Sequence, residues 1–219
     1  MFDQQTITML LEGIRDTVYM TLISTLVGYI LGLPMGVILA VTDKNGIRPN
    51  RAVYRVLDVI SNIIRSVPFL ILLIVLIPFT RFVVGKSYGS TATIVPLVIS
   101  AAPYIGRLVE SSLKEVDKGV IEAARSMGAS DLDIILRVML VEARTSLITG
   151  ATIALGTILG YSAMAGTVGG GGLGDIAVRY GYYRYQTDIM VVTVLLIIIL
   201  FQIFQTTGMK IAKKVEKRK

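Results

Sequence analysis

The chain has 219 residues, of which 53% are hydrophobic and only 17% charged, and it carries a net charge of +7. A soluble domain of this length holds closer to a quarter charged residues, and here long apolar runs alternate with short charged stretches, so the composition describes a polytopic membrane protein. Cys and His are both absent, which excludes a disulfide framework and thiol or imidazole metal sites and removes the usual general base; no metal and no cofactor is expected.

The first apolar run covers residues 18–41 and is too long for the core of a cleavable signal peptide, so it is expected to be a first membrane helix. Gly28, Gly32 and Gly36 line one side of it at four-residue spacing, a bare stripe on which another helix can approach closely. Further apolar runs follow at 67–84, 91–108, 147–167 and 189–207, giving five expected spans in one transmembrane domain over 1–219. The second and third are short for a span and can extend at either end. Pro34, Pro68, Pro78, Pro96 and Pro103 fall inside these runs, and proline is tolerated there where neighbours satisfy the freed carbonyls.

Basic residues set the orientation. With the amino terminus outside, only Arg15, Arg81, Lys86, Arg179 and Arg184 of the 22 basic residues face out. The basic segments at 43–66 and 109–146 and the tail at 210–219 then face in. The positive charge belongs to membrane topology in this arrangement, and no nucleic-acid partner is expected. The tail serves as a topology anchor or as a contact for anionic membrane lipid.

The longest polar segment, 109–146, lies between the third and fourth spans on the inside. Residues 120–127 have helical character, Gly128 is placed to end that helix in a left-handed conformation, and Ser130 with Asp133 forms a capping-box-like start for another helix. Ile134, Ile135, Val138 and Met139 give the second helix an apolar face. Such a helix, turn, helix unit fits a plug for a partner's groove and fits a membrane-surface connector equally well.

Tyr161 and Met164 sit towards the outer end of the fourth span beside small residues, where a pair from two copies could close an external gate; ordinary packing is the alternative. The Gly-rich run at 169–172 lacks the Lys and following Ser or Thr of a phosphate loop and is expected to make a turned external connection. Gly85, Lys86 and Ser87 imitate the end of a phosphate loop, but Thr80 stands where its first glycine should be. Ionisable residues are almost missing from the five runs, apart from Glu110 and Arg107 near the inner end of the third. That argues against proton-driven transport and against a membrane hydrolase, and implies that energy comes from a partner.

The stretch Glu122, Ala123, Ala124, Arg125, Ser126, Met127, Gly128 resembles the EAA motif of ABC importer permeases. Glu122, Ala123, Ala124 and Gly128 match in spacing, and Leu140 matches further on. Val138 replaces the usual Ile and Val141 the usual Pro, which leaves the end of the second helix open. Arg65 to Phe69, the stretch from Gly160 to Asp175, and Tyr180, Gly181, Tyr182 are similar to the methionine-type members of that family. The resemblance implies an all-α integral membrane protein of the type I importer permease fold in a bacterial cytoplasmic membrane. It implies that Glu122, Ala123, Ala124 and Gly128 couple the chain to an ATPase subunit. It also implies a homodimer working with two ATPase copies and an external substrate-binding lipoprotein. The substrate is methionine by this likeness, or another amino acid or small solute. A membrane scaffold without a pathway of its own is the rival from a different class. No residue singles itself out as a substrate contact.

Overall fold

The computed structural model of the protein describes residues 3–216, and the regular elements among these are all helical. Of the basic tail, residues 217–219 lie outside the described residues.

Helix α1, Gln4–Thr42, starts where the Asp3 carboxylate accepts the Thr6 backbone N–H at 2.8 Å. It is longer than the apolar run by about four turns at its amino end, because Glu12, Arg15 and Asp16 interrupt the hydropathy without interrupting the helix. It packs along α5, Ser90–Lys114. The two run parallel, since Gly28 meets Ala101, Gly32 meets Ala102 and Ile105, and Gly36 meets Gly106 and Val109. The stripe expected from the glycine spacing is therefore the seam of the molecule. Thr17, Thr21, Ser24 and Thr25 extend the same small-residue face, each buried. Lipid offers no hydrophobic gain for joining two helices, so close van der Waals approach along such a face holds the pair together.

The second span departs from expectation. Helix α2, Arg51–Ser66, is capped by Asn50 and climbs α5, with Tyr54 beside Glu110 and Asp58 and Asn62 beside Arg107. Val67 is extended, as a residue before proline prefers, and α3, Phe69–Val75, leaves at 100° to α2. Together α2 and α3 are long and apolar enough for one bent span. A second break at Leu76 separates α3 from α4, Ile77–Val84, whose first turn accommodates Pro78 because that position needs no intrahelical N–H bond. A single straight helix over 67–84 is thus replaced by two short ones, with the membrane entry moved back to α2. Arg65, assigned to the inner segment by charge, sits at the far end of this climbing helix.

The chain turns at Lys114 into the polar segment, through α6, Lys118–Ser126, then returns along α9, Arg144–Ala165. Tyr104 faces Thr157, and Leu108 lies against Gly150, so α9 is antiparallel to α5. Beyond it a 3₁₀ turn, Gly166–Val168, leads to the short α10, Gly172–Ile176, and a π-helical turn, Ala177–Tyr182. The Gly-rich connection is a tight fold-back. Gly169, Gly171 and Gly172 all have positive φ, and a methyl at Gly174 would lie 2.1 Å from the Ala163 carbonyl. The Thr17 hydroxyl accepts the Leu173 N–H at 2.9 Å, and the Gly169 carbonyl accepts the Gly89 N–H, so this turn ties α1 and α5 together at one end.

The last helix, α11, Thr187–Val215, packs antiparallel on α9, with Phe201 against Gly156 and Gly208 against Thr152. Its other faces expose Val191, Val194, Leu195, Ile198, Ile199 and Ile203, the surface a lipid-facing helix presents. The inner ends of α1, α5 and α11 and the start of α9 all lie at one end of the bundle. The polar segment closes that end, in agreement with the charge-based orientation.

Candidate functional site

The polar segment forms the helix, turn, helix unit expected of it. Asp117 caps α6 by accepting the Gly119 N–H at 2.6 Å. At the other end Gly128 takes φ +83, the Ala129 N–H returns to the Ala124 carbonyl and the Gly128 N–H to Arg125. That is the left-handed closure for which a glycine at this position is suited. Ser130 then caps the next helix: its hydroxyl accepts the Asp133 N–H at 3.2 Å and donates to the Asp133 carboxylate at 2.6 Å. This bond and the nearby Arg137 hold the Asp133 carboxyl below its ordinary pKa. A carboxyl with a lowered folded pKa stabilises above its unfolded value and loses that contribution as pH falls, so acidification is expected to weaken this cap.

The second helix begins as α7, Asp131–Asp133, widens into a π-helix over Ile134–Met139, and ends as α8, Leu140–Glu142. Ile134 and Met139 are buried in the main core with Ala124 and Val116, so the unit is packed onto the bundle and is not a loose connector. Val141, in the place of the usual proline, is exposed and helical. The helix is interrupted instead two residues later, at Ala143, where ψ is near zero, and α9 follows from Arg144.

Of the motif residues, Ala124 faces inward at 6% exposure, while Glu122 and Ala123 face outward with Gly128. The outward face continues in Val120, Met127, Leu132 and Leu136; Met127 is 82% exposed and Leu132 64%. An apolar face of small and flexible side chains at the tip of a packed elbow is suited to entering a groove on another protein. Met127 and Leu132 escape a motif-based reading because their exposure depends on which way the turn aims them. Arg125 escapes it as well. Its guanidinium donates to the Ile47 carbonyl at 3.0 Å and lies 3.4 Å from Asp131, which pins α6 to the connection after α1.

Behind the elbow lies a charge cluster gathered around one buried carboxylate. Glu110 is 4% exposed, and its carboxylate accepts from Arg107 at 2.7 Å, Lys114 at 2.7 Å and the Tyr54 hydroxyl at 3.1 Å. Arg107 also pairs with Asp58 and reaches Asn62 at 3.2 Å, and Lys114 pairs with Asp43 at 2.9 Å. The Asn45 N–H donating to Asp43 helps to hold that carboxyl below the usual carboxylate range. Arg107, Glu110 and Lys114 at helical spacing announce part of this cluster in the sequence. Their partners on α2 could not be read from there.

At the opposite end of α9, Tyr161 and Met164 behave differently from each other. The Tyr161 ring stacks on Phe69 of α3, centroids 4.6 Å apart and nearly parallel. Met164 is 51% exposed, and a methyl at Gly160, one turn before it, would meet no atom within 4 Å. The two residues therefore do not form one surface: Tyr161 braces α3, and Met164 projects beside a bare strip of helix. Among the described residues no group of acidic side chains could hold a metal ion.

A parallel glycine-seamed pair, a bent second span and a packed inner elbow define a helical membrane subunit. The chain belongs to the family of binding-protein-dependent transport system inner membrane components, whose model matches residues 32–217. It is 50% identical over 210 residues to a probable D-methionine transport system permease protein, MetI, of Vibrio cholerae, covering 96% of this chain and 93% of that one. The D-methionine transport system permease protein MetI of Escherichia coli K12 is 49% identical over 158 residues, 72% of this chain and 73% of its own. Among solved structures, an inward-facing conformation of the MetNI methionine ABC transporter superposes with TM-score 0.97 at 44% identity, covering 99% of this chain and all of that one. An amino acid ABC transporter crystallised with histidines shares the fold at TM-score 0.73 and 20% identity.

Proposed function

We propose that this chain is the permease subunit of an ATP-driven importer that carries methionine across the bacterial inner membrane. The observation that carries this is the elbow: a capped helix, a left-handed glycine turn and an outward apolar face, packed rigidly onto the ends of α5 and α9. The identity to D-methionine permeases over nearly the whole chain supports methionine as the cargo.

In this scheme two copies form the pathway between them, and each presents Glu122, Ala123, Ala124 and Gly128 to one of two ATPase subunits. ATP binding closes the ATPase pair and draws the two elbows together. The elbow is anchored to the bundle through Ala124, Ile134 and Met139, so the pull becomes a rigid-body tilt of the helices. The pathway then opens outward to receive methionine from an external binding lipoprotein, and hydrolysis resets it. The test is uptake of labelled methionine into vesicles holding this permease, its ATPase and its binding protein. ATP-dependent accumulation is expected, and vesicles that hydrolyse ATP without accumulating methionine would contradict the cargo.

The outer gate is assigned to Met164, with Tyr161 fixing the helix beside it. Two observations support this reading: the Met164 thioether is exposed beside the bare strip at Gly160, and Met packs adaptably against its own kind. Met164→Ala in vesicles should raise passive methionine leak while leaving ATPase activity intact; unchanged leak and transport remove the gate.

A further inference from the structure

Arg107, Glu110 and Lys114 on α5 face Tyr54, Asp58 and Asn62 on α2, and Asp43 just beyond α1 completes the cluster. Their disposition is uneven in a way that suggests a use. Glu110 is the most buried member and has both cations and a phenol on it, while Arg107 divides its guanidinium. One terminal nitrogen, Nη1, goes to Glu110 on its own helix, and the other, Nη2, goes to the Asp58 carboxylate, the Asp58 carbonyl and Asn62 on α2. Otherwise α2 is lightly held. Its only buried residue is Ser61, and Val56, Val59, Ile60 and Ile63 are exposed along one side. On the inner side, Lys114 passes the cluster to Asp43, whose connection is pinned to α6 by Arg125 on the Ile47 carbonyl.

We propose that this ion-pair cluster is a clamp that makes α2 travel with the elbow, with Arg107 as its positioning residue. It rests on the transport function proposed above and adds how the elbow's movement reaches the bent span. Force entering at α6 reaches α2 by two routes, through Arg125 and the 43–50 connection, and through α5 and the fork of Arg107. A partly buried pair held from several sides resists separation more than exposed pairs do, because parting it would strand charges in a poorly solvated place. Arginine suits the role since its planar fork fixes two directions at once, towards acceptors on two elements, whereas a lysine ammonium is a point charge on a flexible stem with no such fixed geometry.

The experiment measures methionine accumulated per ATP hydrolysed in vesicles containing the complete complex. Arg107→Lys preserves charge and should lower this ratio by at least about threefold, the scale of mutational effects on coupling between sites. Asp58→Asn, which removes the charge of the same tie from the α2 side and leaves both cations on Glu110, should lower it as well. A residue that only stabilises the fold would lower the melting midpoint and the yield but leave the ratio unchanged. An unchanged ratio in both variants overturns the clamp. The wild-type complex in the same preparation separates the two claims: if it hydrolyses ATP without moving methionine, the transport reading fails, and if it transports normally while the variants do too, only the clamp fails.

Discussion

Replacing Gly128 by valine should abolish most uptake while leaving a correctly inserted protein. At φ +83 a β-branched residue suffers the steric penalty of the left-handed region, about 1–2 kcal/mol for an ordinary side chain and more for valine. Nothing lies within 4 Å of where its Cβ would be, so the penalty is one of backbone conformation and not of collision. The turn relieves it by opening, which breaks the returns of Gly128 and Ala129 to Arg125 and Ala124 and changes the angle between α6 and the helix that follows. The turn lies in the polar segment and outside the five apolar runs, so membrane insertion should be unaffected. Uptake should fall about tenfold or more, since a misaligned elbow of this cost is worth roughly 1.4 kcal/mol per decade. Gly128→Asn supplies the control, because asparagine tolerates this conformation and should keep most of the activity. Equal uptake by the valine variant and the wild type would show that the elbow's shape is not what transmits the push.

The second large effect lies at the seam. A methyl group at Gly36 would sit 2.5 Å from the Gly106 carbonyl oxygen and 2.6 Å from the Val109 Cβ, and neither can withdraw without separating α1 from α5. Gly36→Leu should therefore cost on the order of 3 kcal/mol through overpacking and lower both yield and thermal midpoint in detergent. Gly160→Leu is its counterpart, because that position meets nothing within 4 Å in the protomer. The protomer should fold with Leu at 160, and any loss would appear in assembly or transport. Equal thermal midpoints for the Gly36 variant and the wild type would mean the two helices are not held by close approach.

These two glycines also mark what could be read from the chain and what could not. The stripe of Gly28, Gly32 and Gly36 announces a helix contact because a bare face at four-residue spacing has few other uses, yet only the structure names α5 as its partner and sets the two parallel. The elbow was legible for a different reason. Gly128, the Ser130 and Asp133 pair, and the apolar positions after them are local signals, each with its own short-range cause, and all point to one shape. The bent span was illegible to hydropathy. Arg51, Arg55, Asp58, Asn62 and Arg65 make α2 look like an inner connection, and the ion pairs that neutralise Asp58 inside the bundle involve residues some fifty positions away. The two glycines at 156 and 160 look equivalent in sequence, but one is filled by the Phe201 ring and the other is left bare. Tyr161 and Met164 lie close in sequence, yet their side chains serve different neighbours because the Phe69 ring claims only one of them.

The chain has no cysteine, so a single introduced thiol reports its own position without background. Met127→Cys places that thiol at the exposed tip of the elbow. A membrane-impermeant maleimide should leave it unlabelled in intact cells, label it in inverted vesicles stripped of the ATPase, and lose access again when purified ATPase is added back. Labelling from outside intact cells, or labelling in inverted vesicles that the ATPase does not diminish, would contradict the claim that an inner elbow on this chain is where the driving subunit takes hold.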